Sequence, residues 1–530
     1  MLGLEIVVVL GVAVLVCTVA AGRLRVVPPV LLVVVGVAVG FIPALREVSL
    51  PPETMLLVFL PALLYWESLT TSLREIRNNL RIIVLASTVL VVVTAAAVAA
   101  VAHAVGMPWG PAWILGAAIA PTDATVVGVI ARALPLRTMT VLRAESLVND
   151  GTALVIYGIA VSVTQGGGSY GPGHVSWLFV LAYVGGAASG LLTAWLAIQA
   201  RRRLDSPTLE NVVSVLTPFV AFLLAERLEA SGVLAVVVCG LVLSQIGPRI
   251  VRADTRQQAN AFWGLTTFLL NGSLFVLIGL QANAAVRDLS SSELTRALTL
   301  LGIVTAVVIG ARFVYNFTTP YVIRAIDRRP QQRLRRAGPR PRVVMALSGF
   351  RGAVSMAAAL AVPELTNAKD PFPDRDVIIF VTAGVIVLTL VIQSVILPFV
   401  VHWAHLPPDT QLDEERSLAI TVSSEEAFEA LPRLAAELEV DPMVLERTQT
   451  EYQRHLTMLR TEGAGEDDID DTERRLEDEY KQLRLALLAR KRETLLRLRD
   501  ERLIDDIVVR EVQSKLDVEE VRLSRREIVE

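Results

Sequence analysis

The sequence is poor in cysteine, lysine and histidine, and these shortages exclude several classes of protein. Of the 530 residues only Cys17 and Cys239 are cysteines, and both lie in apolar runs, so we expect small core residues and no disulfide framework. None of the four lysines follows a glycine, and the glycine-rich stretch at 165–173 lacks a following GK[ST]. A nucleotide-binding P-loop is therefore absent, and ATP bound to this chain is not an energy source. The five histidines lie at the ends of apolar runs or outside them, which disfavours a histidine proton relay.

Apolar residues are abundant, and charge is distributed unevenly along the chain. The sequence is 53% hydrophobic with a mean hydropathy of +0.53, which is too apolar for an ordinary soluble protein of this length. Residues 1–403 contain 30 Lys+Arg and 20 Asp+Glu, whereas residues 404–530 contain 20 and 33. This division predicts a membrane domain at 1–403 and a charged, mostly helical region at 404–530.

Apolar runs in the first region predict an all-α polytopic membrane protein. A bilayer core of ~30 Å requires about 20 apolar residues per helix. Thirteen runs meet this requirement: 2–21, 26–45, 51–70, 82–105, 111–131, 140–164, 175–200, 207–226, 230–248, 259–283, 297–323, 343–363 and 377–403. They are called spans 1 to 13 below.

The connecting loops predict the orientation of these spans. Loops after odd-numbered spans, together with their flanks, contain 22 basic residues, whereas loops after even-numbered spans contain 6. Because positive residues stay on the cytoplasmic side, we expect the N-terminus outside and the C-terminus in the cytoplasm of a plasma-membrane protein.

With the ends of the spans and the loops set aside, six ionisable residues remain inside the predicted spans. Each costs at least about 2.5 kcal/mol at the bilayer centre, so they are expected to face the protein interior or a wet cavity. They are Glu67, Asp123, Glu145, Asp150, Arg312 and Arg351.

Span 6 contains RAESLVNDGTALVIYG (143–158) and carries two adjoining polar stripes. Ser146 and Asp150 are four residues apart and share one helix face, while Glu145 and Asn149 share the neighbouring face. One stripe can line a site, and the other can attach the helix to a partner.

Spans 5 and 12 are interrupted by residues that weaken helices. In span 5, Pro121 removes a backbone donor, and the freed carbonyls need protein or a cavity around them. Thr122, Asp123 and Thr125 cluster at this break and supply oxygen ligands that a hard monovalent cation prefers. In span 12, SGFRG (348–352) loosens the helix around Arg351.

Spans 5 and 12 differ by seven in the numbering. This spacing is expected if the chain consists of six spans, one spacer span and six further spans, so that span 5 corresponds to span 12. Because seven is odd, the matched helices run in opposite directions. The pattern predicts two six-helix inverted repeats whose broken helices cross at the membrane midplane.

Five segments together resemble a known family. The chain resembles cation:proton antiporters of the NhaP and sodium–proton exchanger type, also called monovalent cation:proton antiporter-1. The resemblance extends over nearly all of 1–403, and its motifs occur in the family's order. They are FLPALLYWESL (59–69), APTDATVVG (120–128), ESLVNDGTALVIY (145–157), FLLNGSLFVLIGLQ (268–281) and SGFRGAVSMAAAL (348–360).

The resemblance implies a homodimer and a role for several residues. Asp150 would bind either the cation or a proton, and Asn149 before it marks the Asn-Asp type, which is associated with electroneutral exchange. Asp123, Ser146 and Thr122 would complete a Na⁺ shell around Asp150.

Further residues are assigned supporting roles by the same resemblance. Glu145 would pair with Arg351 and connect the two halves of the site. Glu67 would lie near the cation path, although Trp66 stands where relatives more often have Phe. Arg312 matches a recurrent arginine without an assigned role, and we expect its side chain to reach the inner headgroups.

The expected function is exchange of Na⁺, or of Li⁺, for H⁺ without a cofactor or nucleic acid. The same ligand types suit K⁺, so a K⁺/H⁺ antiporter remains open. A cation channel is a different-class alternative, but no TVGYG-like filter is present. A membrane enzyme is also an alternative, although the sequence shows no metal-ligand spacing or nucleophile–base pair.

The C-terminal region has apolar residues at helical spacing, including Leu503, Ile504 and Ile507. This spacing predicts short amphipathic helices. Disorder and a regulatory or dimer-stabilising role are both open for this region.

Overall fold

The structure is a computed structural model of the whole chain, and it divides into two compact units, 1–408 and 409–530. The backbone is described for residues 2–24, 26–42, 55–124, 127, 134–166, 172–288, 291–326, 338–367, 370–406 and 411–463, together with four single residues, 491, 516, 518 and 520.

The described part of the first unit is built from helices that follow the predicted spans. They are α1 (Leu2–Leu24), α2 (Pro28–Val39), α3 (Leu60–Thr70), α4 (Leu73–Leu85), α5 (Val91–Ala104), α6 (Trp109–Ile119), α7 (Leu136–Thr164), α8 (Pro172–Arg201), α9 (Pro207–Arg227), α10 (Gly232–Ile250), α11 (Ala253–Asp288), α12 (Ser291–Ile326), α13 (Pro339–Leu347), α14 (Ala353–Leu360) and α15 (Arg375–Ala404). A π-helical turn precedes α3 (Met55–Phe59), and another joins α4 to α5 (Ala86–Leu90).

The all-helical membrane fold is confirmed. Within the described residues, eight helices are long and apolar enough to cross a membrane, and four shorter helices are also apolar. Helical residues lie in each of the thirteen predicted ranges. The number of spans and the inverted repeats stay predictions.

Both predicted helix interruptions are present, and they touch each other. Helix α6 ends at Ile119 and is followed by the non-helical segment 120–124, while 348–352 separates α13 from α14. The Asp123 N–H donates a hydrogen bond of 2.8 Å to the carbonyl of Phe350. This bond satisfies backbone groups that lipid cannot satisfy. Thr125, also predicted to lie at the first break, falls outside the described residues.

Helix α7 lies between two hydrophobic cores. The larger core includes residues of α1, α2, α5, α6 and α11 to α15, and the smaller includes residues of α3 and α8 to α11. Leu142 of α7 belongs to the first core and Leu147 to the second. The polar stripes of α7 are therefore held at the boundary between the two cores.

The described part of the second unit contains α16 (Gln411–Glu437) and α17 (Pro442–Gly463), which pack against each other. The predicted apolar face around Leu503, Ile504 and Ile507 lies outside the described residues. The domain boundary after residue 403 stays a prediction.

Candidate cation site

A small cavity with several polar side chains in its lining lies where the two broken segments meet α7, α3 and α11. Its volume is ≈ 50 Å³, whereas about 10–15 Å³ on this measure holds one water molecule. The cavity can therefore hold an ion with part of its water shell. Its polar lining comprises Glu67, Thr122, Asp123, Ser146, Asp150, Asn271 and Ser355.

Helix α7 supplies Ser146 and Asp150 to this cavity. They lie one turn apart on one face, as their spacing predicted, and Asp150 is only 4% exposed. The Ser146 hydroxyl accepts a hydrogen bond from the Ala124 N–H at 3.4 Å. This contact ties the segment after Pro121 to the helix that carries Asp150.

Asp123 enters the cavity from the non-helical segment 120–124 and packs against Gly352. A Cβ atom at Gly352 would overlap the Asp123 carboxylate. Only glycine leaves room for this approach, so the carboxylate depends on the sequence of the other broken segment.

Three further polar residues complete the lining. Glu67 of α3 is half-buried and lies on the cavity wall. Asn271 of α11 and Ser355 of α14 also line the cavity. Both of these side chains are neutral, so a pattern of ionisable residues does not indicate them, although each lies inside one of the five family-like motifs.

The second stripe of α7 faces away from the cavity and carries a buried ion pair. Glu145 Oε1 lies 2.6 Å from Arg312 Nη1, with both side chains no more than 4% exposed. Arg312 also donates from Nε to the carbonyl of Met345 at 3.2 Å. The predicted partner of Glu145 was therefore wrong, and so was the expectation that Arg312 reaches the headgroups.

Arg351 instead bonds to backbone carbonyls at the breaks. Its Nε donates to the Ile119 carbonyl at 3.2 Å, and its Nη1 donates to the Gly349 carbonyl. The physical reason is local, because the end of α6 leaves carbonyls unpaired beside the segment that contains Arg351. Arg312 is left to neutralise Glu145.

Thr122 connects the cavity to this ion pair. Asn149 Nδ2 donates to Thr122 Oγ1 at 2.8 Å, and Thr122 Oγ1 donates to Glu145 Oε1 at 3.5 Å. Thr122 also lines the cavity. The hydrogen bonds from Asn149 and to Glu145 of the second stripe therefore fix one residue of the cavity wall.

The oxygen-rich lining suits a hard monovalent cation better than a transition metal. Within the described residues no group of three or more His, Cys, Asp or Glu side chains is placed to hold a metal ion. Three carboxylates, those of Glu67, Asp123 and Asp150, with neutral oxygens nearby make the cavity attractive to one small cation.

Known proteins resemble this chain in sequence and fold. Residues 10–403 match the family described as "Sodium/hydrogen exchanger, transmembrane". An "Uncharacterized Na(+)/H(+) exchanger" of Mycobacterium tuberculosis is 46% identical over 98% of this chain and 96% of its own length. The "Sodium, potassium, lithium and rubidium/H(+) antiporter" of Bacillus pumilus is 30% identical over 70% of this chain and 57% of its own length. The solved structure of the sodium proton antiporter MjNhaP1 from Methanocaldococcus jannaschii shares the fold, with a TM-score of 0.59, 19% identity, and coverage of 76% of this chain and 99% of that one.

Proposed function

The chain belongs to the sodium/hydrogen exchanger family and is a multi-pass membrane cation/proton antiporter; from this premise, we propose that it exchanges one Na⁺ for one H⁺ by competition at Asp150. The observation that carries the proposal is the shared cavity, which Asp150 and Asp123 line together with neutral oxygen-bearing side chains. Asp150 is the ligand that both ions require.

Competition follows from the energetics of buried charge. A carboxylate removed from water resists ionisation, and two nearby carboxylates raise each other's affinity for any cation. Either Na⁺ or H⁺ relieves the excess negative charge, so one excludes the other. The empty, ionised site is held back from crossing by the cost of its charge in a dry environment. Exchange then requires that only an occupied site changes its exposure between the two sides.

The ligand shell of Na⁺ in this proposal comes from two segments, α7 and the non-helical segment 120–124. Sodium must shed water to enter, and oxygen ligands must replace that water. Asp150 and Ser146 provide side-chain oxygens from α7, and Asp123 provides a carboxylate from the first break. Thr122 supplies its backbone carbonyl or the remaining capacity of its hydroxyl.

Asn149 supports a stoichiometry of one proton for one cation. Its amide is neutral, and Nδ2 is already bonded to Thr122. The residue beside Asp150 therefore adds no further titratable charge to the site. If one proton replaces one monovalent cation, no net charge moves in a cycle.

The first test is exchange in proteoliposomes by the Asp150→Asn variant. We expect that it abolishes Na⁺-driven proton movement, because the amide binds neither ion as a carboxylate does, while the protein still folds. Asp376→Asn is the matched control because Asp376 has a half-exposed side chain at the start of α15. Retained cation-dependent proton flux in Asp150→Asn would refute the proposal.

Electroneutrality has its own test, which also separates an antiporter from a channel. We expect added Na⁺ to drive proton movement without creating a membrane potential, so the signal of a voltage-sensitive dye should not change. A cation channel would generate a potential in the same vesicles, as would exchange with unequal charges.

A K⁺/H⁺ antiporter is the second candidate. It is favoured by the Bacillus pumilus relative, whose name includes potassium, lithium and rubidium beside sodium. Adding Na⁺, Li⁺, K⁺ and Rb⁺ in turn to vesicles with an imposed pH gradient ranks the ions. A response to K⁺ equal to that for Na⁺ would replace the Na⁺-specific proposal with a broader one.

We propose the orientation and the assembly on separate grounds. The arginine asymmetry supports an outside N-terminus and a cytoplasmic tail in the plasma membrane, and cysteine labelling from each side of intact cells tests it. The family resemblance supports a homodimer, and the mass of the protein in detergent micelles tests that.

A further inference from the structure

Ser355 has an unused hydroxyl at the cation cavity. The residue is 1% exposed, and its Oγ has no hydrogen-bond partner among the residues that the structure describes. It lines the cavity together with Asp123 and Asp150. A buried hydroxyl without a partner normally costs free energy, so its place beside two carboxylates needs an explanation.

The break between α13 and α14 explains why this hydroxyl is free. Serines and threonines inside membrane helices usually donate to the carbonyl four residues earlier. Ser348 does this at the end of α13, where it donates to Val344 at 2.8 Å. For Ser355 the corresponding carbonyl belongs to Arg351, which lies in the non-helical segment, and no such bond forms.

We propose that Ser355 Oγ is an oxygen ligand of the transported cation, contributed by α14. This inference rests on the proposed function and adds a residue to its ligand shell. A hydroxyl has one donor and two lone pairs. In the loaded site one of these lone pairs faces the cation.

The role distinguishes the two transported ions. A desolvated cation needs several oxygen ligands, whereas a proton is satisfied by one carboxylate oxygen. Loss of Ser355 Oγ therefore weakens cation binding and leaves proton binding nearly unchanged. A merely structural serine would alter the number of active transporters but not the competition between the ions.

The test measures the initial exchange rate against Na⁺ concentration at two pH values. For Ser355→Ala we expect the KM for Na⁺ to rise about three- to tenfold, as for a lost hydrogen bond to a charged or polar partner. The maximal rate stays near wild type, and so does the proton concentration that halves the rate when Na⁺ is kept well below its KM. Ser355→Thr retains the hydroxyl and is expected to retain the wild-type KM.

Ser189→Ala is the matched control. Ser189 of α8 is also buried, at 2% exposure, and its Oγ has no partner within the described residues, but it does not line the cavity. Its removal should leave the KM unchanged. An unchanged KM in Ser355→Ala beside an active wild type overturns this inference alone, as does a loss of maximal rate without a KM change. An inactive wild type overturns the proposed function and this inference together.

Discussion

Helix α7 carries two polar stripes, one facing the cavity and one facing a buried ion pair, and the stripes differ by a single residue position. Ser146 and Asp150 face the cavity, while Glu145 and Asn149 bond to Arg312 and Thr122 behind it. The helical repeat of 3.6 residues makes this separation possible, because adjacent residues point about 100° apart. At the residue scale, we therefore expect a conservative change in the first stripe to affect ion binding and a change in the second to affect stability.

Removal of the Glu145 charge should therefore destabilise the protein. Glu145→Gln leaves Arg312 buried without a counter-ion, and breaking a buried pair in this way costs about 3–5 kcal/mol. We expect a lower unfolding temperature of the purified protein in detergent, with the loss partly recovered in the double variant Glu145→Gln/Arg312→Met.

Asp374→Asn is the control for this prediction. Asp374 lies 3.1 Å from Arg296, but the side chains are 16% and 30% exposed. A partly solvated pair contributes about 0–1 kcal/mol, so its loss should change the unfolding temperature little. Equal losses in the two single variants would contradict the distinction.

At the scale of elements, the two helix breaks make the site, because each holds the other in place. The hydrogen bond from Asp123 to Phe350 joins the segments, and Gly352 admits the Asp123 carboxylate. Arg351 closes the end of α6 through the Ile119 carbonyl. Neither segment would be stable in lipid alone, since its backbone groups would lack partners.

Gly352→Ala should disable transport without unfolding the protein. The added Cβ overlaps the Asp123 carboxylate, and a displacement of about 1 Å at a reacting group can cost about a hundredfold in rate. We expect the initial rate of Na⁺/H⁺ exchange to fall at least about tenfold, with wild-type levels of folded protein in the membrane.

Gly264→Ala provides the matched comparison within α11. Among the described residues, no atom lies within 4 Å of a Cβ added at Gly264, apart from its own helix and neighbours. Exchange by this variant should equal that of the wild type. Normal exchange by Gly352→Ala would show that Asp123 need not occupy its observed place.

At the scale of the whole molecule, the cavity lies at the boundary of two hydrophobic cores. Glu67 on α3 and Asn271 on α11 form one part of its lining, whereas the broken segments and α7 form the rest. A relative movement of these two parts would change the exposure of Asp150. The described helices that line the cavity all belong to the first unit, 1–408.

Deletion of residues 413–530 should therefore leave transport intact. A unit with its own core is expected to fold by itself, so the shortened chain should retain at least about half of the wild-type exchange rate. The pH dependence of exchange, measured in the same vesicles, reports whether the tail regulates it. A shortened chain that folds but does not exchange would give the tail a direct part in transport.

Several features could be predicted from local sequence because they depend on neighbouring residues. Apolar length predicts helices, Pro121 and the Ser348–Gly352 segment predict the breaks, and four-residue spacing predicts the stripes of α7. Asn271 and Ser355 escaped prediction because their importance comes from what lies opposite them. The Ser355 hydroxyl lacks a partner within the described residues because α14 begins only shortly before it. The first residue of this helix cannot be predicted from composition.

The sequence by itself determined that this chain enters a membrane, where its helices weaken and which acids remain inside them. Only the tertiary structure decided that Glu145 pairs with Arg312, which is 167 residues away, rather than with Arg351. Two buried arginines offered the same charge, and charge alone cannot select between them. The positions of the two side chains determine the pair. Arg351 donates a hydrogen bond to the Ile119 carbonyl at the end of α6, whereas Arg312 lies 2.6 Å from Glu145.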